Sequence, residues 1–316
     1  MVESLIWTEK YRPKTFSEIA GQNEIVKRVK GMVEKGNLPH ILFAGPAGIG
    51  KSTLALVVAK SLFGDDIDHN FLEMNASDSR GIDTIRNEVK DFAKTKSLKD
   101  VPFKIILLDE CDSLTKEAQQ ALRRTMENYS KTCRFIFSCN FPSKIIDPIV
   151  SRCVVFKFKP LKKDDIFGYV NFVVEKEGLK IGDGVLEALF EVSEGDCRRV
   201  VNTLQSCASL SKEIKVDDVY HVAGSVKPKE VLEVLKVVIS GEFVKGRRKL
   251  LEVMLEYGLS GLDIVKQIQR EVWGLELEDK EKLRLIERCG EIEFRIVEGS
   301  DEFIQLEALL ASFIRK

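Results

Sequence analysis

The run Gly45-Pro46-Ala47-Gly48-Ile49-Gly50-Lys51-Ser52-Thr53 constrains the fold of this chain more than any other stretch. It follows a short apolar segment, His40–Gly45 (HILFAG), and opens a helical pattern over Ser52–Phe63 that Gly64 stops. Glycines at this spacing let backbone N–H groups curl around phosphate oxygens, and the helix N-terminus adds partial positive charge. In that setting Lys51 is the side chain that reaches the β- and γ-phosphates, and the Ser52 hydroxyl is a ligand for Mg²⁺. Such a loop has to be carried between a strand and a helix, so the chain is expected to build an α/β sheet around it.

The rest of the first half agrees. Apolar runs at Phe71–Ser77, Phe103–Glu110, Arg134–Asn140 and Cys153–Pro160 alternate with helical patterns, and several are hydrophobic almost throughout, as strands covered on both faces are. Alternating strands and helices predict a parallel sheet with helices on both sides. Ile105-Ile106-Leu107-Leu108-Asp109-Glu110 delivers two carboxylates at a strand's C-terminal end, where open α/β sheets bind ligands. Asp109 is expected to hold Mg²⁺ through water and Glu110 to orient the attacking water. Asn140 closes the fourth run, where its amide could position that water or meet the γ-phosphate; an ordinary strand-exit turn is the alternative. The segment Lys116–Tyr129 is amphipathic, with Ala118, Ala121, Leu122, Thr125, Met126 and Tyr129 on one face.

After Pro160 the strand signals cease. Lys162–Glu177, Asp183–Ser193 and Asp196–Leu210 read as short helices, and a second helical block runs from about Pro228 to the end, broken at Gly241, Gly258–Gly261 and Gly274. Boundaries are expected near 160 and 226, giving three domains over 1–160, 161–226 and 227–316. In 316 residues, 49 Lys+Arg oppose 50 Asp+Glu, so contact with nucleic acid would need a local patch rather than a global field. No run reaches the ~18 apolar residues of a membrane helix, and the first twelve residues lack the apolar core of a signal peptide. The seven cysteines form no C-x-x-C pair and read as small buried hydrophobes in a reducing, cytoplasmic, intracellular setting.

Together the P-loop, the Asp109-Glu110 strand, Ser138-Cys139-Asn140, Ser151-Arg152-Cys153 and Gly195-Asp196-Cys197-Arg198 resemble the AAA+ clamp-loader family, and within it the archaeal-type small subunits of replication factor C. Trp7-Thr8-Glu9-Lys10-Tyr11-Arg12-Pro13 and Asn75-Ala76-Ser77-Asp78 carry the likeness further, and it spans essentially the whole chain. Two motifs depart from the usual pattern. The loop has Ala47, Ile49 and Ser52 in place of Pro, Thr and Thr, and Cys111 replaces Ala in the Asp-Glu-Ala-Asp sequence. Backbone cradling, the hydroxyl and both acids survive these changes.

The resemblance implies an AAA+ P-loop domain, a small helical lid and an all-α collar, with ATP and Mg²⁺ as cofactors. It implies that Tyr11, Arg12 and Pro13 lie over the adenine, that Arg152 is an arginine finger acting in trans, and that Arg198 meets the γ-phosphate in cis. It further implies that Arg80, Arg86 and Lys144 track primer–template DNA. The implied partners are a large subunit, further copies of the small subunit, the sliding clamp and DNA, with hydrolysis stimulated by DNA and a nucleoid-associated location. Two rivals remain at this point. One is another AAA+ motor, of branch-migration or origin-recognition type, which usually appends a winged-helix domain. The other is a non-hydrolysing structural subunit, which has no chemical need for Lys51, Asp109, Glu110 and Arg152 together.

Overall fold

The computed structural model describes residues 6–78, 85–95, 103–225 and 227–314, with the side chains of residues 85 and 86 outside the description. By compactness the chain divides into two units, residues 1–179 with 193–205, and residues 180–192 with 206–316.

The first unit is an α/β layer structure. Its helices are α1 (Trp7–Lys10), α2 (Asn23–Glu34), α3 (Lys51–Phe63), α4 (Ile67–Asn70), α5 (Lys90–Lys94), α6 (Lys116–Asn128), α7 (Asp147–Val150) and α8 (Lys163–Glu177). Five strands, β1 (His40–Ala44), β2 (Phe71–Asn75), β3 (Lys104–Asp109), β4 (Cys133–Cys139) and β5 (Cys153–Lys157), form one sheet in the order β2-β3-β4-β1-β5. Every pairing is parallel. The three central strands, β1, β3 and β4, are buried on both faces because their alternate residues pack against different helices. Ile41, Phe43, Ile105, Leu107 and Ile136 meet Val29 and Val33 of α2 and Leu54, Ala55 and Val58 of α3. Leu42, Ile106, Leu108, Phe135 and Phe137 meet Ala118, Leu122 and Met126 of α6. The expected parallel sheet with helices on both faces is therefore present.

This order also places the site. Strands β1, β4 and β3 are neighbours, so the loop after β1, Asn140 after β4 and Asp109 at the end of β3 emerge side by side at the carboxyl edge. A carboxyl-edge crevice is where open α/β sheets bind ligands.

Helix α9 (Val185–Ser193) falls almost wholly in the second unit, and α10 (Cys197–Leu210) contributes residues to both. The second unit also holds α11 (Val216–Ala223), α12 (Pro228–Ile239), α13 (Phe243–Tyr257), α14 (Gly261–Glu271), α15 (Asp279–Val297) and α16 (Glu302–Ala311). Apolar residues at helical spacing on the last five form one continuous core, with Leu235, Ile264, Ile268, Ile292 and Leu309 fully buried in it. Two features correct the sequence reading. A two-residue parallel ladder joins β6 (Lys180–Ile181) to β7 (Glu213–Ile214), although strand signals had seemed to end at Pro160. Helix α11 follows that ladder where no helix was expected.

Candidate functional site

Lys51 opens α3 just after Gly48 and Gly50, which take positive φ of 67° and 93°. This backbone is open to glycine at little cost. Although charged, Lys51 is only 7% exposed. Its ammonium donates to the carbonyl oxygens of Gly45, at 2.7 Å, and Pro46, and to Asn140 Oδ1 at 2.9 Å. Burial lowers its pKa, while Asp109 pulls it back up. One residue on, the Ser52 hydroxyl donates to Asp109 Oδ2 at 2.6 Å, so a hydroxyl and a carboxylate from α3 and β3 share one point. Hard oxygen donors of this kind suit Mg²⁺.

Glu110 follows in the left-handed region, with φ 50°, and its N–H donates to Asp109 Oδ1 at 3.0 Å. A non-glycine residue held there is uncommon and turns the Glu110 side chain out of the strand's alternation. The Asp112 carboxylate accepts from the amides of Asn140, at 3.3 Å, and Phe141, at 3.2 Å, pinning the exit of β4. Beyond β2, the Asn75 side chain accepts from the Ser77 amide, and the Ala76 amide donates to the Asp109 carbonyl, tying the Asn75–Asp78 segment to β3.

Lys51, Ser52, Asp109, Glu110 and Asn140 line one cavity with Ala47, Gly48, Ile49, Gly50 and Thr53. Its far wall is supplied by Arg12, Pro13, Tyr169 and Arg198. Arg198 arrives because α10 is docked on the loop. The Cys197 amide donates to the Gly48 carbonyl at 3.0 Å, and Asp196 Oδ1 caps the helix by accepting from the amides of Arg198 and Arg199. Asp196 thus binds backbone rather than the Arg198 guanidinium. The approach is so close that a Cβ on Gly48 would lie 1.7 Å from Asp196 Oδ1.

Not every expected residue gathers here. Tyr11 does not line the cavity. Its ring packs edge-on against Trp7 and Phe172, and its hydroxyl donates to Glu177 of α8 at 2.5 Å. The aromatic in the wall is Tyr169, whose hydroxyl donates to the Tyr11 carbonyl at 3.1 Å. Arg152 is exposed, away from the cavity lining. Lys144 is also exposed and stands over the Phe141 ring, 4.9 Å from its centroid. Arg80 lies outside the described residues, as does the Arg86 side chain. Asp112, Tyr169 and Asp196 were missed by sequence reasoning. Only Asp112 and Asp196 carried a signal, as members of the Asp-Glu-Cys-Asp and Gly-Asp-Cys-Arg strings.

A cavity at the carboxyl edge of a five-stranded parallel sheet, walled by a P-loop, an Asp-Glu strand end and an arginine from a later helix, defines an AAA+ nucleotide-binding site. The comparisons agree. Residues 41–161 match the family "ATPase family associated with various cellular activities (AAA)", and residues 226–312 match "Replication factor C C-terminal domain". The chain is 53% identical to the replication factor C small subunit of Methanococcus maripaludis strain S2, over 96% of this chain and 97% of that one. It is 49% identical to the small subunit of Archaeoglobus fulgidus, over 97% and 96%. The chain belongs to the replication factor C small-subunit family. A solved structure of the Thermotoga maritima RuvB Holliday junction branch migration motor is similar in fold, with a TM-score of 0.56 at 18% identity over 72% of this chain and 79% of that one. Among the described residues, no helix is long and apolar enough to cross a membrane.

Proposed function

We propose that this chain is the ATP-hydrolysing small subunit of a clamp-loader complex that opens a ring-shaped sliding clamp and places it on primed DNA. The observation that carries the reading is the convergence of Lys51, Ser52, Asp109 and Asn140 in one cavity, in a chain of the replication factor C small-subunit family. Amides of the Gly45–Thr53 loop would cradle the phosphates, and Lys51 would exchange its loop carbonyls for β- and γ-phosphoryl oxygens. Ser52 and Asp109 would hold Mg²⁺, which neutralises charge on the phosphates when bound. Glu110 would orient the attacking water, with Asn140 fixing that water or the γ-phosphate. Arg12 and Pro13 would flank the adenine, and Tyr11 would support that wall from behind through Tyr169 and Glu177.

Arg198 would sense the γ-phosphate in cis, because the helix that carries it is bonded directly to the loop at Gly48. Arg152 would act in trans. Its exposure and its distance from its own cavity lining favour service to a neighbouring subunit, and a guanidinium supplied this way makes hydrolysis depend on assembly. Arg80, Arg86 and Lys144 would contact the DNA backbone without reading sequence, and DNA so bound would stimulate hydrolysis. The division into an AAA+ domain, a lid and a collar over 1–160, 161–226 and 227–316 goes with this reading. So does an intracellular, nucleoid-associated setting. In the last block, exposed Phe294, Val297 and Ile304 offer apolar area for packing against the large subunit or further copies of this chain.

The test is retention of a labelled clamp on primed circular DNA by the complex of this chain with its large subunit. Loading should need ATP and should be lost with Lys51→Ala. Loading at the wild-type level without ATP, or by the Lys51→Ala complex, contradicts the reading.

A further inference from the structure

We propose that Glu127 is the positioning residue for Arg152, bracing its guanidinium at the angle from which it enters a neighbour's nucleotide site. The inference rests on the reading of Arg152 as a finger acting in trans.

An exposed arginine has many rotamers, and a finger that must first be ordered loses part of its effect to conformational entropy. Arg152 is not left to wander. Its Nη2 donates to Glu127 Oε1 of α6 at 2.5 Å, and its Nη1 donates to the Pro148 carbonyl of α7 at 2.7 Å. Two separate elements therefore fix the plane of the guanidinium. These bonds engage two of its five N–H donors, and the side chain keeps 38% of its exposure. A braced cation with donors to spare is suited to meeting a phosphoryl group in a fixed geometry.

A carboxylate beside the finger would by itself cancel its charge. Here the same Glu127 Oε1 also lies 3.6 Å from Nε of Arg123, one helical turn earlier on α6. Two guanidinium groups around one carboxylate leave a net single positive charge, so the cluster still attracts a phosphate. Arg123 and Glu127 are i, i+4 neighbours on a regular helix, which places the carboxylate as firmly as the helix itself.

The alternative role for the same ion pair is restraint, with Glu127 holding Arg152 back from its target. The two roles differ in sign. Steady-state ATP turnover by the complex of this chain with its large subunit, on primed DNA, separates them. Glu127→Ala should lower kcat about three- to tenfold, the scale of leaving one long side chain to be ordered at each turnover, with KM for ATP changed by less than about twofold. Arg152→Ala should lower kcat much further, and the Glu127→Ala/Arg152→Ala pair should match Arg152→Ala alone, because Glu127 acts only through Arg152. An exposed ion pair contributes little to stability, so the melting temperature should hold. Should Glu127→Ala melt early, Glu127→Gln retains an acceptor oxygen and should give a kcat between the alanine variant and wild type. A kcat at or above wild type in the Glu127 variants, with Arg152→Ala inactive, overturns the positioning role. A fully active Arg152→Ala complex overturns the finger reading, and the inference with it.

Discussion

Lys51 and His40 show what burial does to a titratable side chain with and without acceptors. Lys51 stays within reach of three oxygen acceptors, so its charge is compensated where it stands. His40, at the start of β1, is different. Its Nδ1 accepts from the Phe135 amide at 3.0 Å, which requires that nitrogen to be unprotonated. Burial first, and the Arg134 guanidinium second, lower its pKa from the ordinary 6.5 to about 4. The unfolded chain therefore takes up the proton at a higher pH than the folded one. His40 contributes its full stability above about pH 6.5, loses it progressively as pH falls, and stops contributing below about pH 4. The amount at stake is about 3 kcal/mol. Urea unfolding at pH 8 and at pH 4.5 should show a smaller loss for His40→Asn, which keeps an acceptor but does not titrate, than for wild type. Parallel losses would refute this account of His40. At this scale the sequence revealed the residues that sit in short contiguous motifs, such as Lys51, Ser52, Asp109 and Asn140. It could not reveal Tyr169, which comes from α8 and takes the place in the cavity wall expected of Tyr11. Nor could it show that Asp196 serves the helix backbone, since that depends on where its carboxylate turns.

Among elements, the strands of the sheet were legible to within three residues at each end, because their long apolar runs have no other stable use. The β6–β7 ladder escaped notice, since two residues show no periodicity. The break between α15 and α16 was also missed; it runs from Glu298 to Asp301, where Gly299 takes φ 95° and Asp301 caps the next helix through its side chain. Glycines inside helices show how packing overrides propensity. Replacing an exposed helical glycine by alanine ordinarily stabilises by about 0.5–1 kcal/mol. Gly290, in α15, has nothing within 4 Å of an added Cβ, so Gly290→Ala should raise the unfolding free energy by that amount. Gly246, in α13, sits against α12, and its Cβ would lie 2.3 Å from Val238 Cγ2. Gly246→Ala should therefore destabilise by about 1–3 kcal/mol, as overpacking does. Val238→Ala in the same chain should recover part of that loss. Denaturant unfolding of the three variants checks both signs, and a stabilising Gly246→Ala would show that α12 and α13 are not packed this closely.

For the whole molecule, the proposed reading divides function between chains: Arg152, exposed and absent from the lining of its own chain's cavity, would serve a neighbour. The exposed apolar side chains of Phe294, Val297 and Ile304 would likewise be covered only on assembly. The sequence conveyed this only through resemblance, because no periodicity or spacing distinguishes an arginine used in trans from a solvated one. The most direct test mixes two inactive chains in complexes with the large subunit on primed DNA. One carries Glu110→Gln, with its own site unable to activate water but its finger intact. The other carries Arg152→Ala, with an intact site but no finger. Each alone should turn over ATP at a small fraction of the wild-type rate. Mixed, they should regain a substantial part of it, since Arg152 of the first chain can complete the site of the second. If the mixture is no more active than either parent, the claim that each site is completed by its neighbour is wrong.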